Sequence, residues 1–311
     1  MRLQVPRRYA RLSTSLSRPH EKTSMERTIR WLRQDGEITV GMDEAGTGSS
    51  VVLLPALSSI STRAEMRPLF DRLVDRFRVT TVDWPGFGER PRPQEDWSPE
   101  ILSAFLQWFL SEIISPPHTV IAAGHAATYA LYQAVRRPGT IERLVAIAPT
   151  WRGPLPTMTG GQRPWFAKVR AAVDQPIVGP ALYRLNVSSF VVAKMAREHV
   201  YSDPNWLTGE RLAKKLAVTH VTGARHSSVR FVTGHLDRVE SCAAFLDLTR
   251  HANVPVLLVY GDQTPPRSRA EMEALAQLPN VQTRLLKRGK LALHEEFPDE
   301  VMDAIMPFLG N

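Results

Sequence analysis

Residues 120–128 read Val120-Ile121-Ala122-Ala123-Gly124-His125-Ala126-Ala127-Thr128: four apolar residues, a glycine, then small residues that run on into Tyr129-Ala130-Leu131. A short unbroken apolar run suits a strand buried on both faces, and Gly124 supplies the backbone freedom for a sharp turn into a helix. Similar runs recur at residues 51–54, 79–82, 144–148 and 256–260, with a weaker one at 281–286. Helical stretches separate them, the most apolar being 101–114. Strand, helix, strand repeated this often predicts an α/β fold: a mostly parallel sheet covered by helices on both faces.

Outward from that core, Ile29, Trp31 and Arg33 alternate, Asp35-Gly36 follows, and Ile38, Val40 and Met42 alternate again. This is the pattern of a hairpin with a tight turn. About a hundred residues separate Pro149 from Val254, far more than the handful expected of a simple connection in such a fold. Residues 150–251 are therefore expected to form an inserted helical cap. It opens on the Pro- and Gly-rich 153–161, with helical patterns at 165–173, 181–199, 210–216 and 238–251. Residues 26–149 and 252–311 would then build the main domain, and 1–25 a basic leader.

The chain has 311 residues, 43% of them hydrophobic, enough to bury a substantial core. Cys242 is the only cysteine, which excludes an intrachain disulfide and a thiolate-rich zinc site. The nine histidines show no metal-ligand spacing, so no metal and no cofactor is expected. No apolar stretch reaches the roughly 20 residues of a membrane span. The net charge of +8 raises the question of nucleic acid, but residues 1–24 carry six cations against Glu21 alone, leaving the rest only mildly basic. No nucleic-acid partner is expected. The leader, rich in Arg and Ser, reads as a disordered tail or a start placed upstream of Met25, with a transit peptide and an anion-binding arm as alternatives. A cytoplasmic location is expected, or an organelle if the leader is a transit peptide.

Two segments resemble a known family. Asp83-Trp84-Pro85-Gly86-Phe87-Gly88 is similar to the turn after the fourth strand of α/β-hydrolases, although Glu89 stands where a serine usually follows. Residues 120–128 resemble the nucleophile elbow of that family, G-x-S-x-G, with Gly124 at the first glycine and Ala126 at the serine. The resemblance extends over residues 26–311. It implies the α/β-hydrolase fold, oxyanion donors at the Leu57 and Ala127 N–H groups, Thr264 at the acid position after Gly261, and His294 at the catalytic histidine. Residues 122–129 with 148–156 also resemble a group of hydrolase-like proteins from cyanobacteria and plastids.

Acyl transfer by such a site needs an oxygen nucleophile, a histidine that takes its proton and a carboxylate that orients the histidine. Alanine and threonine supply neither the first nor the third. A working serine hydrolase is therefore not expected. His294 is either a surviving general base or a leftover. Asp262 either orients it or is a turn residue, and His125 is either chemical or packed beneath the elbow. Trp84, Trp151, Trp165 and Phe87 either line a ligand pocket or belong to the core. The leading expectation is a degenerate-triad protein that binds a small apolar or anionic ligand, or a protein partner, in the old pocket. The alternative is an enzyme without a covalent intermediate, a lyase, isomerase or water-attacking hydrolase, that uses His294 and the oxyanion donors. A third is a hydrolase whose nucleophile lies elsewhere.

Overall fold

The computed structural model describes residues 25–34 and 36–310; the basic leader and Asp35 of the first turn lie outside the described residues. Eight strands run β1 Met25–Arg33, β2 Gly36–Ala45, β3 Ser50–Leu54, β4 Arg78–Val82, β5 His118–Ala123, β6 Ile141–Ile147, β7 Val256–Gly261 and β8 Val281–Leu286. They form one sheet in the order β1-β2-β4-β3-β5-β6-β7-β8. The first two pairings are antiparallel and all later ones parallel. Arg33 pairs with Gly36, which confirms the tight hairpin. Strands β3, β5 and β7 are buried along their whole length, as a sheet covered on both faces requires.

Three helices precede β6: α1 Arg67–Leu73, α2 Pro99–Trp108 and α3 Ala126–Arg136. Between β6 and β7 come α4 Pro154–Thr159, α5 Trp165–Asp174, α6 Val178–Asn186, α7 Ser189–Met195, α8 Gly209–Thr219, α9 Ala224–Val232 and α10 Cys242–His251. Helices α11 Pro266–Ala276, α12 Leu293–Glu296 and α13 Pro298–Leu309 complete the chain. The helix expected over 181–199 is broken in two. Ser188 leaves the helical conformation and caps α7, its hydroxyl accepting from the Val191 N–H, because a serine side chain satisfies a free first-turn donor. Helix α9 was not legible as a separate element. Most inserted helices share a second apolar cluster around Tyr183, Val192, Tyr201 and Val229. Phe245 of α10 instead belongs to the main core, and α10 packs on α3 and α11.

After β3 the chain passes through a short 3-10 turn, Arg63–Met66, capped by the Thr62 hydroxyl. The Arg63 guanidinium, almost fully buried, reaches four carboxylates: Asp83 at 2.7 Å, Glu26 at 2.9 Å, Asp43 at 3.1 Å and Glu89 at 3.3 Å. The Arg63 N–H also donates to Asp83 at 2.7 Å. Gly41 leaves the room, since a Cβ there would meet the Arg63 guanidinium at 2.5 Å. Burial pushes the Asp83 carboxyl up to about 6 against the pull of Arg63. Arg63→Met strands Asp83 in the core, and removal of one partner of a buried pair costs about 3–5 kcal/mol. Denaturant unfolding at pH 7 should show that loss. The deficit should narrow as the pH falls toward 6 and level off below it, where Asp83 is protonated in both proteins.

Candidate active site

The turn between β5 and α3 is made by Gly124, whose φ of 51° is left-handed. Its N–H donates to Ile147 O at 2.9 Å, and its carbonyl accepts from Thr150 N at 3.2 Å and Ala127 N at 3.3 Å, so the turn is tied to the end of β6. Ala126 lies two residues further on, in the first turn of α3, with no exposed surface. The Ala127 N–H, expected as an oxyanion donor, is thus engaged within the turn. Leu57, the other expected donor, is buried at the end of a segment held by a hydrogen bond from the Trp84 indole to Pro55 O at 2.8 Å. A Cβ on Gly124 would lie 3.3 Å from Ala56 Cβ and 3.8 Å from Thr150 Oγ1. Ala56, Gly124 and Thr150 are half-buried and form a small-residue floor among buried neighbours.

Of the other expected site residues, only His125 reaches that floor through a hydrogen bond, to Thr150. Thr264 is buried and its hydroxyl has no partner. Asp262 is exposed in the turn after β7, its N–H on Leu286 O and its carbonyl accepting from Arg269. Trp84 packs between Tyr129 and Phe105, and Trp151 lies under the Arg152 guanidinium at 4.9 Å. Phe87 is buried, whereas Trp165 is exposed.

His294 is buried in α12, its two ring nitrogens without a hydrogen-bond partner and its Nε2 3.9 Å from Glu65 Oε1. That separation is electrostatic contact, too long for a hydrogen bond. Glu65 was not foreseen. Its Oε1 accepts from the Ala56 N–H at 2.5 Å, and its Oε2 lies 3.5 Å from Lys215 Nζ on α8. Lys215 also binds Glu295 at 3.0 Å, and the Tyr201 hydroxyl donates to the same Glu295 at 2.8 Å. Burial alone would raise the Glu65 carboxyl, but Lys215 and His294 hold it below the usual range. Burial likewise opposes the Lys215 ammonium, and Glu295 and Glu65 hold its pKa above the ordinary value. Glu65, His294 and Glu295 stand close enough to share a cation, a grouping that no local histidine spacing could reveal. The Lys215 ammonium already fills that role.

His125 sits in a second cluster. Its Nε2 is 3.0 Å from Asp237 Oδ1 and its Nδ1 3.3 Å from Thr150 Oγ1, while Asp237 also accepts from the Gly153 N–H at 2.8 Å. Asp237, another residue the sequence did not single out, has its carboxyl raised by burial against the pull of His125. Two hollows open elsewhere on the surface. One of about 450 Å³ is lined by Trp206, Gln263, Arg288 and Phe297, among others, and one of about 130 Å³ by residues 193–208. Neither is lined by Leu57, His125, Ala126, Thr264 or His294.

No curated protein matches the chain in sequence. Among solved structures it is similar to a thermophilic esterase from Thermogutta terrifontis, with a TM-score of 0.70 and 19% identity over 92% of this chain and 98% of that one. A bromoperoxidase from Bacillus anthracis gives 0.67 and 17% over 92% and 100%. The haloalkane dehalogenase DatA from Agrobacterium tumefaciens C58 gives 0.67 and 16% over 91% and 96%. At such identities the likeness is one of fold. The alpha/beta hydrolase family model matches residues 51–304, from the strand before the Arg63 turn into the last helix, and the chain belongs to that family.

Proposed function

We propose that this chain keeps the hydrolase fold for binding and does not carry out covalent acyl transfer at the turn between β5 and α3. One observation carries the reading. The positions expected to hold nucleophile, acid and base are a fully buried alanine, a threonine hydroxyl with no partner, and an imidazole that faces Glu65. The alanine offers no atom to acylate, and no carboxylate stands within hydrogen-bond distance of the histidine. The inserted helices act as a cap latched by Lys215 onto Glu65 and Glu295. A small apolar or anionic ligand would rest beside Ala56, Gly124 and Thr150, which are half-buried.

One arrangement favours a second reading, an enzyme without a covalent intermediate. Asp237 fixes the His125 tautomer with the proton on Nε2, which leaves Nδ1 basic toward the Thr150 hydroxyl. On this reading the general base would be His125 rather than His294, which faces Glu65.

Three outcomes test these readings. A fluorophosphonate probe should leave the protein unlabelled. A covalent adduct on the unaltered protein, found by intact mass, would overturn the binding reading. Amide NMR should show Gly124 and Thr150 shifting on titration with short carboxylates or ketones. If turnover of such a compound is found and Asp237→Asn lowers it by about two orders of magnitude or more, the second reading holds. Lys215→Met should cost about 3–5 kcal/mol in denaturant unfolding at pH 7, since it leaves Glu65 buried without its cation. Glu65 has a depressed folded pKa, so its stabilising contribution is present above the ordinary carboxylate range and lost in acid. The deficit of the variant should accordingly fade below a pH of about 4.

A further inference from the structure

Nine large hydrophobic side chains stand exposed among the described residues, and seven of them fall within residues 158–190. The remaining two, Leu32 and Leu285, lie at opposite edges of the sheet. On α6, Val178, Leu182 and Leu185 recur at spacings of four and three, the period of one helix face. Ile177 precedes that helix and is 87% exposed, and Phe190 on α7 is 74% exposed. Helices α5, α6 and α7 pack in succession, so these residues belong to one region of the cap. Monomeric proteins seldom leave so concentrated an apolar surface uncovered.

Charge indicates what covers it. Arg163, Lys168, Arg184, Lys194 and Arg197 are exposed in the same stretch. The only acid from 158 to 197 is Asp174, and it is already held by His226 at 2.6 Å and Arg230 at 3.0 Å. Glu198, one residue past this stretch, lies 4.0 Å from Lys194 and offsets that one cation; an apolar stripe edged by the remaining cations is the composition of a helix that lies in the plane of a lipid interface. A second copy of the same face would bring like charges together, which disfavours self-association.

We propose that the α5–α7 region of the cap docks on an anionic membrane surface. Ile177, Leu182, Leu185 and Phe190 enter the boundary between headgroups and acyl chains, and the cations meet lipid phosphates. This goes beyond the binding reading above, since such docking would serve a binding protein and an enzyme alike. It needs no membrane-spanning element, and no described helix is long and apolar enough to be one.

The test is co-sedimentation of the full chain with vesicles. Binding to phosphatidylglycerol–phosphatidylcholine vesicles should exceed binding to phosphatidylcholine alone by about tenfold or more at low salt, and should weaken as salt is added. Ile177→Ser, Leu185→Ser and Phe190→Ser together should reduce binding at least tenfold with an unchanged melting temperature, because all three side chains are exposed. Arg184→Glu with Lys194→Glu should abolish the preference for the anionic lipid. A chain that starts at Met25 should retain that preference. Equal or absent binding to both vesicle types would overturn the proposal, as would a preference lost with residues 1–24. A stable dimer that the triple variant dissociates would overturn it as well, and would assign the face to a second copy.

Discussion

The Arg63 guanidinium holds the architecture to its site. One buried cation joins the outer hairpin through Glu26 and Asp43 to the turn after β4 through Asp83 and Glu89. Two residues later the same turn points Glu65 the other way, toward the Ala56 N–H, Lys215 of the inserted helices and His294 of α12. A single 3-10 turn thus presents opposite charges to two regions of the molecule. Its buried groups are affordable only because each finds several partners at once, since an unmatched ion in that environment would be far costlier than any exposed pair could repay.

The sheet was legible because its signal is local. Five short apolar runs, a two-residue hairpin turn and the glycine after β5 each declare themselves within a few residues, and each became the expected element. The inserted region was legible as a gap but not in its parts. The pattern over 181–199 has helical periodicity throughout, and only the Ser188 side chain, by capping α7, decides that it is two helices. The charge clusters were invisible for a different reason. Glu65 and Lys215 lie 150 residues apart, and His125 and Asp237 lie 112 apart, so no spacing in the chain marks either pair. Ala126 and Thr264 could be read as departures from the family motif, but the buried partners around them could not.

Hydrogen bonds fasten the surroundings of these positions. The Ala56 N–H, which could face an incoming oxygen, donates to Glu65, and the Ala127 N–H donates to Gly124 O. Ser202 and Asp203 donate their backbone N–H groups to Glu296, beside the Lys215 contact with Glu295. The first two bonds lie within the main domain, and those to Glu295 and Glu296 join the inserted region to α12. Ala56, whose N–H is held by Glu65, stays half-buried beside Gly124.

Gly124 itself has one more consequence. A left-handed backbone carrying a Cβ stores strain, on the order of 1–2 kcal/mol. With glycine in that conformation the turn keeps its shape and the strain disappears. Any replacement of Gly124 would return that strain to the one turn that ties β5, through Ile147 and Thr150, to the end of β6.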